Sequence, residues 1–97
     1  MIGDMALTLA TRIVRNPDLV HTELEQHTMM MSIGAGRYFS LNSSGSRIWQ
    51  LIEQPAVVAD IVSTLEREFD VEPERCHAET MRLVESLLAN DLASIVE

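Results

Sequence analysis

Hydrophobic and polar positions follow two periods along this chain, and the change falls near Asn42. Before it, short runs rich in β-branched, aromatic and other apolar residues are separated by turn-forming clusters, the pattern of β-strands. Thr11–Arg15 is compatible with an extended segment, and Asn16-Pro17-Asp18 reads as a turn. Leu19–Leu24, Thr28–Ile33 and Arg37–Leu41 read as three strands, joined through Glu25-Gln26-His27 and Gly34-Ala35-Gly36. Strands this short, with connections this short, imply an antiparallel meander. Along the third strand Arg37, Phe39 and Leu41 share one face and Tyr38 and Ser40 the other. Phe39 and Leu41 are expected to face the helices. In the run Met29-Met30-Met31, Met29 and Met31 lie on one face with Ile33, and core packing is expected of that face.

After Asn42 the period lengthens to that of helices. Ser43 or Ser44 is expected to cap a first helix holding Ile48, Trp49, Leu51 and Ile52, which ends before Pro55. A second helix, from about Val57 to Phe69, aligns Val58, Ile61, Val62, Leu65 and Phe69 in one stripe. Asp70-Val71-Glu72 interrupts it, and Pro73 suits the first position of a third helix over about Glu74–Ala89. That helix places Cys76, Thr80, Leu83, Val84 and Leu87 on one face. Asn90-Asp91 can supply its left-handed stop, and the tail Leu92–Val96 is free to fold back on the core. The elements define an α+β fold, a three-stranded antiparallel sheet followed by three helices. With no internal repeat or linker, residues 1–97 read as one domain: 1–10 poorly ordered, 19–41 sheet and 43–90 helices.

Composition narrows the function. The chain of 97 residues is 46% hydrophobic and 23% charged, as in folded domains. No apolar run reaches the roughly 20 residues of a membrane span, and Met1–Leu9 lacks the basic start of a secretory signal. The single cysteine, Cys76, fits a reducing, cytoplasmic setting. There is no lysine. Residues 51–97 hold three arginines against eleven carboxylates and so carry the whole formal charge of −8. Such a surface repels a phosphate backbone, which excludes nucleic acid as an expected partner. Nor do the residues assemble catalytic machinery. Cys76 and His77 lie about 100° apart around their helix, too far for a nucleophile–base pair. His21 and His27 are remote in sequence from His77, so no metal site or cofactor is expected and the protein reads as no enzyme.

One block is distinctive: Gly36-Arg37-Tyr38-Phe39-Ser40-Leu41-Asn42, then Gly45, then Ile48-Trp49-Gln50-Leu51. With Pro55, Ile61, Leu65, Phe69-Asp70-Val71, Leu83, Leu87 and Leu92, it resembles the PQQ-biosynthesis D protein family. These are peptide chaperones also called RiPP recognition elements, RiPP denoting a ribosomally made, post-translationally modified peptide. The resemblance runs from about Leu19 to Val96 and implies a winged helix-turn-helix-like fold. It further implies that the leader segment of a precursor peptide lies along the third strand as an added strand, against the third helix. The peptide would then pass to a separate maturation enzyme, a leader protease or a radical-SAM enzyme, as in lasso-peptide or PQQ synthesis. Asp91 departs from the family, which tends to have glycine there.

The physical chemistry of an edge strand leads the same way. Its unpaired N–H and C=O groups accept an extended peptide whatever the side chains, at about 0.5–1.5 kcal/mol net per hydrogen bond. Register must come from apolar anchors in a neighbouring groove. The expected peptide-binding residues are therefore Arg37, Tyr38, Phe39, Ser40 and Leu41 on the strand, with Arg75, Cys76, Glu79, Thr80 and Leu83 on the third helix. Glu74, Glu79 and Glu85 would steer a basic leader. Two other readings use the same pattern: a winged-helix DNA-binding transcription regulator, and a structural subunit forming a homodimer through its edge strand.

Overall fold

The structure, a computed structural model, describes residues 7–25, 27–32 and 36–96. Strands β1 (Arg12–Arg15), β2 (Val20–Leu24), β3 (His27–Ser32) and β4 (Arg37–Leu41) precede helix α1 (Ser43–Leu51). The short strand β5 (Ala56–Val57), helices α2 (Val58–Phe69) and α3 (Pro73–Ala89) and strand β6 (Ala93–Val96) complete the chain. β2, β3 and β4 form the expected antiparallel meander, with β4 at one edge. The three helices and mixed architecture are those of the expected α+β, winged-helix-like class.

A second sheet was not foreseen. β1 is its centre, paired antiparallel with β5 and β6; Arg12 faces Val96 and Arg15 faces Ala93. Before β1, Thr8 and Thr11 close a turn, and the Leu9 carbonyl accepts from the Ala59 amide at 2.9 Å. Of the segment 1–10, the described residues Thr8, Leu9 and Ala10 make backbone hydrogen bonds and Leu7 packs on the core. Residues 1–6 lie outside the described residues. Ile13, fully buried on β1, explains the arrangement: one apolar side chain enters the core and its flanks need hydrogen-bonding neighbours.

The methionine run is shifted by one residue from expectation. Met30 is buried and Met29 is exposed, with Met31 half-buried. Register is the reason. Met30 pairs with Phe39 and Thr28 with Leu41, so these four share the inner face; Met29 and Met31 pair with Ser40 and Tyr38 on the outer face. Ile33 and the Gly34-Ala35 part of the turn are outside the described residues, as is Gln26.

Helix boundaries follow local chemistry. Asn42, rather than Ser43 or Ser44, caps α1: its Oδ1 accepts from the Gly45 amide at 3.0 Å. The cap needs an extended residue one place before the helix, and the last residue of the strand-to-helix turn meets that condition. Asn42→Ala is expected to lower stability by about 1 kcal/mol in chemical denaturation. Gly45 sits at a close approach: a Cβ there would lie 3.2 Å from Leu41 Cβ, so Leu41 would have to give by a few tenths of an ångström. α3 ends as expected, with Asp91 as the left-handed residue (φ 60°). Leu92 N–H donates to the Leu87 carbonyl (2.9 Å) and Asp91 N–H to the Leu88 carbonyl (3.2 Å), the double-bonded Schellman ending. A non-glycine residue in this conformation is strained, so Asp91→Gly is expected to raise the free energy of unfolding by about 0.5–1 kcal/mol, and the denaturation midpoint with it. An unchanged or lower midpoint would show that the chain end tolerates aspartate without cost.

The core joins both sheets to the helices. Trp49, Ile13, Met30, Ile52, Val58, Ile61, Val84 and Leu87 are almost wholly removed from solvent. Arg47 forks onto Glu68 at 2.9 and 3.0 Å and ties α1 to α2. This bond holds the Glu68 carboxyl below the usual carboxylate range. The contribution of the pair is present above the ordinary carboxylate pKa and fades as pH falls through the lowered one. The stripe on α2 departs from expectation at its end. Val58, Ile61, Val62 and Leu65 are buried, but Phe69 is 37% exposed, at the C-terminal end of the helix where the core no longer covers it.

Candidate functional site

Among the described residues β4 is hydrogen-bonded to β3 only, so every second residue along it turns its N–H and C=O away from the sheet. Leu41 is buried, Phe39 half-buried, and Arg37, Tyr38 and Ser40 exposed, in agreement with the expected alternation. The Arg37 guanidinium sits 5.1 Å from the centre of the Phe39 ring and shields it from water. The open edge ends at Leu41, whose carbonyl accepts from Ser46 Oγ at 3.3 Å.

Where the edge stops, a pocket of about 340 Å³ begins. One wall is the β4–α1 turn and α1, through Asn42, Ser44, Gly45 and Ile48; the floor includes Leu65. The other wall is α3, through Cys76, Glu79, Thr80 and Leu83, with Phe69 and Val71 at the rim. Four of the five α3 residues singled out in the sequence therefore meet in one cavity. Arg75 does not line it: it is bonded to Glu79 at 2.9 Å one turn along the helix. The β4 residues Arg37–Leu41 flank the pocket through the following turn rather than lining it. Lining residues missed in the sequence are Asn42, Ser44, Gly45, Ile48, Leu65, Phe69 and Val71. Phe69 and Val71 carried a usable signal: large apolar residues on either side of Asp70, a helix-breaking position with φ 51°.

The pocket has the character of a binding groove. Its lining is mainly apolar, and Glu79 is its one formally charged side chain. Cys76 is 4% exposed with Sγ 3.7 Å from the Val62 carbonyl, and burial pushes its thiol pKa up. Such a thiol is a weak nucleophile. Iodoacetamide is expected to label Cys76 at least about tenfold more slowly in the native than in the urea-unfolded protein; equal rates would show an open thiol. By contrast, the pocket beside β2 is lined by Arg15, Asn16, His21, Glu53 and Gln54 and lacks apolar anchors apart from Val14, Pro17 and Leu19 at its side. Of the two edges of the meander, β4 has the apolar groove.

An open edge strand leading into an apolar helix-lined pocket defines a small α+β domain built on the winged-helix plan. The chain belongs to the coenzyme PQQ synthesis protein D (PqqD) family, whose family model matches residues 27–93. Among curated proteins no match is found. Three solved structures share the fold. "TbiB1 in Complex with the TbiA(beta) Leader Peptide" superposes with a TM-score of 0.76 at 22% identity, covering 84% of this chain and 94% of that one. "Lasso peptide synthetase B1 complexed with the leader peptide" gives 0.73 at 23%, covering 84% and 96%. The PqqD truncation of Methylobacterium extorquens PqqCD, described as a functional stand-alone RiPP recognition element, gives 0.75 at 14%, covering 96% and 99%. No helix among the described residues is long and apolar enough to cross a membrane.

Proposed function

We propose that this protein is a non-catalytic peptide chaperone that binds the leader segment of a ribosomal precursor peptide. The observation that carries the reading is the unpaired β4 edge running into the apolar pocket on α3. The leader adds to β4 as a fourth strand through Tyr38–Leu41, and its apolar anchors enter the pocket against Cys76, Thr80 and Leu83. Arg37 covers Phe39 at the entry, and Arg75 acts only by fixing Glu79 at the rim. Membership of the PqqD family supports the reading, as do two fold neighbours described with leader peptides bound. One of them is described as a lasso peptide synthetase B1, and the two share 22–23% identity with this chain, against 14% for the PqqD neighbour. The reading accordingly commits to a lasso-type leader, a separate leader protease as the receiving enzyme, and a cytoplasmic setting.

The DNA-binding alternative is disfavoured by charge, because Arg75 on α3 is engaged by Glu79. A homodimer through β4 would occupy the same hydrogen-bonding groups and would compete with peptide. Isothermal titration with the leader encoded beside this gene is expected to give saturable, one-to-one binding. Absence of binding to that leader would refute the function.

A further inference from the structure

Of the carboxylates on this chain, only Glu79 stands in the wall of the pocket beside β4. The period of α3 puts it there, on the face that also carries Cys76, Thr80 and Leu83. Among the described residues Arg75 alone bonds it: Arg75 Nε donates to Oε2 at 2.9 Å, and Oε1 takes no hydrogen bond. The two side chains are 72% and 58% exposed, and an exposed ion pair one helical turn apart contributes little to folding. In the empty protein, water satisfies the second oxygen.

An occupant of the pocket changes that state. A peptide whose apolar anchor fills the cavity strips water from Glu79, and a carboxylate covered without a new donor weakens binding. Arg75 holds one oxygen only and stands outside the lining, so the donor must come from the peptide. A charge-assisted bond from a cation is the strongest available. No arginine lines the pocket, so a cation entering it meets no repulsion there. The aliphatic stem of a lysine or arginine also suits the apolar rim at Phe69 and Val71 while its charged end reaches the carboxylate.

The far end of the groove has the opposite sign. Arg37 is the only charged residue of β4 and has no carboxylate partner among the described residues. Four residues at ~3.3 Å each separate it by about 13 Å from Leu41, where the pocket begins. That exceeds the screening length of about 8 Å at physiological ionic strength, so the two ends act on a ligand separately. A basic side chain is repelled opposite Arg37 and attracted beside Glu79. Strand addition alone is the same in every register, whereas this contrast of sign is not.

We infer that Glu79 is a specificity-determining residue of the groove, receiving a lysine or arginine that adjoins the apolar anchor of the leader. The inference rests on the leader-binding reading above and names a side chain the leader must carry. Arg75 is a positioning residue, holding Oε2 and leaving Oε1 for the incoming cation.

The test is titration calorimetry of the full chain with the leader encoded beside this gene and with versions of it in which each lysine or arginine is replaced singly by glutamine. Glu79→Gln is expected to weaken the unaltered leader about tenfold, with the thermal midpoint nearly unmoved. One leader substitution is expected to give the same loss, and combining it with Glu79→Gln to add less than about twofold, the mark of a direct pair. Glu66→Gln with Glu72→Gln removes two charges of the same acidic half outside the pocket lining and is expected to keep affinity within about twofold. Glu79→Lys is expected to prefer the leader whose cation is replaced by glutamate, a gain that no loss of folding could produce. Wild-type affinity in Glu79→Gln, a tight-binding leader with no basic residue, or an equal loss in the Glu66 and Glu72 variant would overturn the inference and leave leader binding standing. Failure of wild-type protein to bind any of these peptides would instead overturn the function itself.

Discussion

Trp49→Ala is expected to lower the free energy of unfolding by about 3–5 kcal/mol, the cost of deleting a fully buried indole from a packed core. Domains of this size are usually stable by only about 5–15 kcal/mol, so the variant would lose a large share of its margin. The position explains the size of the effect. Trp49 on α1 receives the Arg15 guanidinium of β1 at 5.3 Å from its ring centre and the His21 ring of β2 edge-on at 6.0 Å. Arg15 also donates to the Trp49 carbonyl at 3.2 Å. The indole is thus the point where both sheets rest on the first helix. Its Nε1 has no hydrogen-bond partner among the described residues, so Trp49→Phe removes an unsatisfied donor together with some volume. The phenylalanine variant is therefore expected to lose clearly less than the alanine one. Urea denaturation followed by circular dichroism measures both. A loss under about 1 kcal/mol for Trp49→Ala would mean the two sheets are held together elsewhere.

The second large effect concerns binding. Phe69→Ser combined with Val71→Ser is expected to weaken leader affinity by about tenfold to a hundredfold, since each residue loses apolar area that the peptide would cover. Both side chains are more than a third exposed in the free protein, so the thermal midpoint should move only slightly. That contrast separates a binding role from a structural one. If titration gave the wild-type affinity, the pocket between α1 and α3 would not be where the leader is anchored. A matching loss of stability would point instead to a packing role at the end of α2.

Part of the β4 edge and of the pocket is legible in the sequence. The alternation over Arg37–Leu41 is a local property: with a period of two, the buried Leu41 and half-buried Phe39 require Tyr38 and Ser40 to face out. The helical face of Cys76, Thr80 and Leu83 follows from the helix period in the same way, and all three line the pocket. Arg75 stands outside the pocket lining because a side chain's partner is chosen among neighbours; Glu79, four residues on, took it. Met29 failed because three equal residues in a row give no phase. Only pairing with β4 decided that Met30 turns inward.

Local chemistry along the chain thus settled the strand–turn–helix order, the helix stops at Asp70 and Asp91, and the two faces of β4. These depend on periodicity, capping and backbone sterics within a few residues. The second sheet, the phase of the methionines and the pocket itself arose only on folding. β1 joins β6 across nearly the whole chain, and β5 is two residues long; neither has a pattern of its own that names a partner. Such pairings form because a buried backbone must find hydrogen bonds wherever the packed helices leave them, and that choice exists only once the chain is closed.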